Sequence, residues 1–429
     1  MRAKLIEFPI AIEGGLELRA VQTDEEAEKV AAINGQMHGM EEENIVRHWL
    51  LQGHPTMHRG DWLFVADVES GEVAATLCLM ATLWKYGGTP LPVAELGFVG
   101  THPDYRRRGL QRVLSDAFDE LALSQGYTLA AIEGIPGFYG QFGYEYAVPL
   151  LGGVTLGYEQ VPEVDQVEQA LSARSASPED AQTLAMLYDA SIAGLDVAAM
   201  RGVDLWQYQL GMPERFSFYP PVEVIEQEGR IVGYFRWTDD AWTDRLRIVE
   251  LAVSPAGHTT KACTMLALRF ARDRGRLAGK CGIALQLPET HLAVEYARYL
   301  GAQSSGYYGW QMKVLDPVRF LRAIGPALEA RLGASLLAGY TGVLRFMLYG
   351  LRYRLSLRFE NGLLAEVLIG DEEEADARMM VKQATQLWLG WRGREALEHW
   401  YPDFHTQESA RQLIDVLFPK SRAYIYMPY

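Results

Sequence analysis

The feature that most constrains the fold of this chain is a long internal repeat. "VAELGFVGTHP" (93–103) reads as a buried strand, and "IVELAVSP" (248–255) reads as its second copy. Each is followed by a helical pattern (108–124 and 260–275) and a strand ("TLAAIEG", 128–134, and "CGIALQL", 281–287). Each then closes on an aromatic-rich stretch, "YGQFGY" (139–144) and "YARYLGA" (296–302). Upstream, "LELRAV" (16–21), a helix over 24–34 and two strands within 62–80 are answered by "LSARSAS" (171–177), a helix near 178–195 and a hairpin within 222–238. Strands broken by helices in this order belong to the α/β and mixed α+β class, and the recurrence predicts two tandem copies of one fold.

From "LDPVRFLRA" (315–323) the pattern changes. A helix, two alternating strands around Asn361–Gly362 and helices over about 376–418 predict a third, smaller α+β domain, ending in the strand-like "SRAYIYMPY" (421–429). A chain of 429 residues is too long for one ordinary core. The domains expected are therefore 1–155, 156–316 and 317–429.

The formal net charge of -15 disfavours nucleic acid as the main partner and suits a cationic small molecule. Three cysteines (Cys78, Cys263, Cys281) are an odd number without paired spacing, which points to buried free thiols rather than disulfides or zinc. No apolar run is long enough to span a membrane, and Glu7 and Pro9 interrupt any signal-like start, so a cytoplasmic protein is expected. His38, His48, His54 and His58 lack the spacing of a closed metal site, and no metal is expected. Trp388 and Trp391 sit at core-like helical spacing, and "DEEEAD" (371–376) reads as a solvated turn and helix start.

Against that acidic background, "YRRRGLQRVL" (105–114) concentrates cations where a helix begins. A strand ending at Val99, a short loop and a glycine at a helix N-terminus aim backbone N–H groups at an anion, and arginines add charge-assisted donors. Gly109 permits close approach of the backbone.

On these residues the chain resembles the GCN5-related N-acetyltransferases, whose cofactor motif Gln/Arg-x-x-Gly-x-Gly/Ala follows a splayed fourth strand. Arg106, or a one-residue alternative reading of the cluster, opens the motif, Gly109 fills its glycine, and Gln111 departs from the final Gly or Ala. The resemblance implies that Val99, Gly100 and Thr101 hold the pantetheine arm of acetyl-coenzyme A. It assigns the amides of Arg107, Arg108, Gly109, Leu110, Gln111 and Arg112 to the pyrophosphate, and Gly134 and Ile135 to the other side. The second copy reads "AGHTTKACTML" after its strand, lacks Arg-x-x-Gly, and is expected to bind no coenzyme A.

The three-part layout is similar to the "enhanced intracellular survival" branch of that superfamily: two tandem acetyltransferase folds and a sterol-carrier-like C-terminal domain. That likeness implies Tyr139 as general acid and the free α-carboxylate of Tyr429 as general base, with Glu95 as the rival base. It implies a buried terminus, a homo-hexamer, and a polyamine-like or aminoglycoside-like amine as acceptor, drawn in part by Glu41, Glu42 and Glu43. The alternatives are a protein or peptide lysine acetyltransferase, and a binding or assembly protein without turnover.

Overall fold

A computed structural model describes residues 7–163, 171–212, 216, 218–241, 243–254, 260–351, 354–370 and 374–429. The chain folds as two compact units, Met1–Val148 with Gly309–Arg422, and Pro149–Tyr308 with Ala423–Tyr429.

The first unit opens with β1 (Ile10–Ile12), β2 (Leu16–Ala20), α1 (Asp24–His38), α2 (Met40–Leu51), β3 (Trp62–Asp67) and β4 (Val73–Tyr86). It continues with β5 (Thr89–Thr101), α3 (Leu110–Ser124), β6 (Leu129–Ile132) and β7 (Glu145–Leu151). The sheet runs β1-β2-β3-β4-β5-β6, antiparallel up to β5 and parallel between β5 and β6. That parallel pair needs a crossover, which α3 supplies by burying Leu110, Leu114, Ala117, Phe118 and Ala122 along one stripe of its surface. α1 starts at a capping box, in which Thr23 Oγ1 accepts from Glu26 N at 3.2 Å and Glu26 Oε2 accepts from Thr23 N at 3.1 Å.

The second unit contains β8 (Val154–Leu156), β9 (Leu171–Ser175), α4 (Ala181–Ile192), β10 (Val197–Ala199), α5 (Val203–Leu210) and β11 (Val222–Gln227). It goes on through β12 (Arg230–Thr238), β13 (Arg245–Val253), α6 (Thr260–Leu277), β14 (Gly282–Leu285), α7 (Leu292–Tyr299) and β15 (Gln303–Ser304). Its sheet order is β9-β11-β12-β13-β14-β8-β15, with β13 and β14 parallel and α6 between them. β13-α6-β14 thus repeats β5-α3-β6, as the duplicated sequence pattern requires.

The expected boundaries shift where strands are shared out. β16 (Tyr307–Val314) pairs through Gln311–Val314 with β6, so it completes the first sheet, whereas β8 pairs with β14 in the second. Residues 423–429, assigned from sequence to the third domain, pack with the second unit. They do not form the strand expected there: Ala423 makes one bridge to Val197, and Tyr424, Ile425, Tyr426 and Tyr429 are buried.

The C-terminal α+β part comprises α8 (Pro317–Ala323), α9 (Gly325–Gly333), β17 (Gly342–Tyr349), β18 (Arg354–Glu360), β19 (Leu363–Gly370) and β20 (Ala377–Met380). α10 (Val381–Trp388), α11 (Arg394–Trp400), β21 (His405–Thr406) and α12 (Glu408–Leu417) follow. Its sheet order is β19-β18-β17-β20-β21. The hairpin expected at Asn361–Gly362 is present, both residues taking the positive φ of a tight β-turn. The helix expected from 376 is preceded by strand β20, whose alternating buried Ala377 and Met379 have the period of a strand. Residues 371–373 of the acidic run lie outside the described residues. Cys281 is exposed rather than buried, with Sγ 2.9 Å from Asp244 Oδ2. No described helix is long and apolar enough to cross a membrane.

Within the first unit the C-terminal part is tied to the first sheet by a buried knot. Tyr86 Oη donates to the Trp388 carbonyl at 2.5 Å, and Arg331 Nη1 donates to Tyr86 Oη at 2.9 Å and to the Leu417 carbonyl at 2.6 Å. Tyr86→Phe removes the phenol from both partners. It should lower unfolding stability by about 1–3 kcal/mol, read as a lower denaturant midpoint with unchanged slope.

Candidate acyl-coenzyme A site

β5 pairs with β4 almost throughout, but its register with β6 stops at Glu95↔Ala131. Beyond that point the edge of Leu96–Thr101 that faced β6 has no ladder. The departure coincides with an irregularity opposite Thr76–Cys78, where Phe98 adopts φ 51°, the signature of a bulge that re-aims a strand. Phe98 is wedged against Trp49 and Trp62, with ring centroids 5.4 and 5.2 Å away.

The chain then turns through residues 103–105, where Tyr105 Oη donates to Asp67 Oδ2 at 2.9 Å and pins the loop to the end of β3. Arg107 (φ 65°) and Gly109 (φ 75°) are both left-handed, and α3 begins at Leu110. A Cβ on Gly109 would meet no atom within 4 Å, so the glycine is set by the backbone and leaves its N–H open to the groove. The amides of Gly109, Leu110 and Gln111 donate to no backbone acceptor among the described residues. Arg112 differs from the expectation: its amide is spent on the Gly109 carbonyl at 2.9 Å, because by the third helical residue the ladder has begun.

A groove of 590 Å³ lies between the splayed strand and this turn. Val99, Gly100, Thr101, Arg107, Gly109, Leu110, Gln111 and Arg112 all line it, as does the motif-opening Arg106. Three expected residues do not line it. Arg108 turns away, stacking over the Tyr105 ring at 4.9 Å and donating to the Asp104 carbonyl at 3.3 Å. Gly134 is covered by Tyr139, and Ile135 is 68 % exposed outside the groove. The opposite wall is instead Phe138, Gln141 and Phe142 from the "FYGQFGY" stretch, with Arg112 held over the Phe142 ring at 5.3 Å.

The residue that departs from the motif has a definite role. Gln111 Nε2 donates to the Gly100 carbonyl at 2.8 Å and to Thr101 Oγ1 at 2.9 Å, bracing helix to strand. His38, at the end of α1, also lines the groove. Burial lowers its basicity against the opposing pull of Glu42 and the Val99 carbonyl. Of the three acidic candidates beside it, Glu43 is engaged by Arg47 at 2.6 Å. Among the described residues no group of three His, Cys, Asp or Glu is placed to hold a metal.

Tyr139 opens a short helical turn, Tyr139–Phe142, and is 5 % exposed. Its ring packs on Phe138, Phe142 and Tyr144 at 5.0, 6.2 and 6.1 Å. Its hydroxyl makes no hydrogen bond to a described residue. Burial pushes its pKa up to about 12, so the phenol keeps its proton across the neutral range. Lys382 Nζ donates to the adjacent Gly140 carbonyl at 2.8 Å and steadies the turn. Glu95 is buried at the last paired position before the splay. Tyr429, 6 % exposed, lies in the second unit, where its terminal carboxylate accepts from Gln209 Nε2. The loop that would answer the cradle in that unit, 255–259, is outside the described residues.

Residues 17–147 match the family model of an acetyltransferase (GNAT) domain. These residues are a GNAT acetyltransferase domain, and the chain carries an acyltransferase module. No curated protein matches the chain. A GCN5-related N-acetyltransferase from Anabaena variabilis superposes with TM-score 0.71 at 14% identity, over 96% of this chain and 99% of its own. Eis1 from Mycobacterium abscessus does so with TM-score 0.60 at 16% identity, over 96% and 100%. The N-myristoyltransferase of Saccharomyces cerevisiae, solved with bound myristoyl-CoA, reaches 0.51 at 12% identity, over 72% and 81%. At these identities the likeness is one of fold: tandem acetyltransferase folds with an additional α+β domain.

Sequence reading missed His38, Phe138, Gln141 and Phe142 of the acetyltransferase domain's groove. The repeated aromatics of "FYGQFGY" were the available signal. A methyl group on Gly134 would lie 2.2 Å from Tyr139 Cδ2. Gly134→Ala should therefore displace the ring and lower unfolding stability by about 1–3 kcal/mol, read as a lower denaturant midpoint. Tyr139 should ionise only as pH approaches 12, read as the difference in tyrosinate absorbance between wild type and Tyr139→Phe. A Tyr139-dependent absorbance rise near pH 10 would contradict its burial.

Proposed function

We propose that the protein transfers an acetyl group from acetyl-coenzyme A directly to an amine of a cationic small molecule, polyamine-like or aminoglycoside-like, in the cytoplasm. The observation that carries this reading is the groove itself: an unladdered strand edge at Leu96–Thr101 faces a helix N-terminus with open amides at Gly109–Gln111. An extended pantetheine arm can add to such an edge as a strand would, and a pyrophosphate suits such a turn. The fit is good on this count, since open donors, cations and a glycine without a crowding Cβ converge on one cleft.

The thioester, when bound, supplies an activated acyl carbon, and the remaining tasks fall to the chain. A backbone N–H of the splayed strand polarises the acyl oxygen. The terminal carboxylate of Tyr429 accepts a proton from the substrate ammonium, directly or through water, freeing the nitrogen lone pair to attack. As the carbon–sulfur bond breaks, Tyr139 gives its proton to the departing sulfur. Glu95 is the alternative base, because it sits where the two parallel strands part. We further propose that the C-terminal α+β part is sterol-carrier-like and that the chain assembles as a homo-hexamer, which native mass spectrometry would show directly.

Thiol release from acetyl-coenzyme A, measured with a panel of polyamines and aminoglycosides, tests the reading. Tyr139→Phe and a chain with one residue appended after Tyr429 should each lose about 10²–10⁴-fold in kcat with donor binding intact. Full activity of the appended chain would move the base to Glu95 or water. Donor binding without acetylation of any amine in the panel would overturn the proposed acceptor class.

A further inference from the structure

The second unit has a polar core that packing alone does not require. Arg201 and Glu250 form a bidentate pair, Nη1–Oε1 at 2.9 Å and Nη2–Oε2 at 3.0 Å, with both side chains fully buried. Arg236 Nε lies 3.7 Å from the same carboxylate, and Tyr234 Oη donates to it at 2.5 Å. Trp206 underlies both guanidinium groups at 4.6 and 4.5 Å, and Tyr188 faces Arg201 at 4.4 Å. Burial and the like charge of Arg201 bring Arg236 down to about 10, and Glu250, despite its burial, is held below the usual carboxylate range by the two arginines. Two cations against one anion leave an excess positive charge in a buried interior, an arrangement that is costly unless further polar groups solvate it.

The chain's own terminus is linked to this cluster through neutral groups. Arg236 Nη2 donates to Gln209 Oε1 at 2.5 Å. A guanidinium can only donate, so this bond fixes the amide's orientation and turns Nε2 outward, where it meets the terminal carboxylate of Tyr429. Two residues back, Arg201 Nη2 donates to the Met427 carbonyl at 2.5 Å. Tyr424 N reaches the Val197 carbonyl at 3.0 Å, Tyr424 Oη the Gln286 carbonyl at 2.8 Å, and Tyr426 packs on Tyr188 at 6.0 Å. The last seven residues are therefore seated by hydrogen bonds and aromatic contacts, all within one unit.

We infer that the second acetyltransferase fold serves as the receptor for the chain's own terminal carboxylate, with Gln209 as the positioning residue that orients it and Arg236, Glu250 and Arg201 holding Gln209 and the tail in place. This rests on the proposed role of that carboxylate as base. A fold copy lacking the cofactor motif thereby keeps a task in the reaction without touching the acyl donor.

The test uses the full chain with Gln209→Glu, which keeps the side chain's shape and its bond to Arg236 but sets a carboxylate against the terminal one. Two readouts are followed: removal of Tyr429 by carboxypeptidase Y, scored by intact mass, and kcat with the KM for acetyl-coenzyme A. The expected result is trimming about tenfold faster, kcat lower by about 10–10²-fold, and donor KM unchanged. Gln209→Met, neutral and of similar volume, stands in if the charged variant does not fold, with the same expectation. Wild-type trimming and kcat in a folded variant would overturn the inference. Unchanged trimming with altered kcat would overturn the receptor role and leave the base reading intact. Faster trimming with unchanged kcat would overturn the positioning role together with the base reading.

Discussion

Two parallel strands that pair for three residues and then part set the geometry of everything else in the first unit. β5 and β6 share register only over Val93–Glu95, and past that point β5 keeps its antiparallel partner β4 but loses its other neighbour. An edge of main-chain donors and acceptors inside a sheet is normally a liability. Here the bulge at Phe98, locked by Trp49 and Trp62, turns it into the wall of a groove. The opposite requirement, a place for negative charge, comes from the first turn of α3, whose free amides and left-handed Gly109 face the same space. The site is thus a consequence of main-chain geometry more than of particular side chains, which explains how Gln111 can replace the small residue of the motif and brace the two walls.

The duplicated fold carries its charges differently. In the first copy cations are exposed at the groove, at Arg106, Arg107 and Arg112, where an anionic ligand can reach them. In the second the cations Arg201 and Arg236 are buried, matched in part by Glu250 and linked through Gln209 to the last residue of the chain. One architecture therefore presents positive charge to a ligand and its copy encloses positive charge around a piece of the protein itself. Burial in the second copy gives these bonds a lower-dielectric setting, in which an unmatched partner is correspondingly costly.

Much of this was legible in the residues. The repeat was visible because β5-α3-β6 and β13-α6-β14 each switch from strand to helical period and back, and the helix start was visible because arginines and a glycine precede an apolar stripe. Other features depend on geometry that no short pattern encodes. Arg112 was expected to offer its amide, and the helical ladder takes it. Gly134 was expected at the groove, but the rotation of the Tyr139 ring covers it. The exchange of β8 and β16 across the expected boundaries rests on long-range pairing, of β8 with β14 and of β16 with β6, which no local pattern encodes. The apolar tail "AYIYMPY" signalled burial, and Tyr424, Ile425, Tyr426 and Tyr429 are buried. Its receptor was invisible because Arg201, Gln209, Arg236 and Glu250 are scattered along the sequence and meet only after folding.

The most direct test of the central claim is amide hydrogen exchange of the intact chain with and without coenzyme A. If the splayed strand and helix start hold the donor, exchange slows at Val99–Thr101 and at Gly109–Gln111, while Arg112, already bonded to Gly109, changes little. Coenzyme A that binds without slowing those amides, or that protects the second unit instead, would contradict the assignment of the groove.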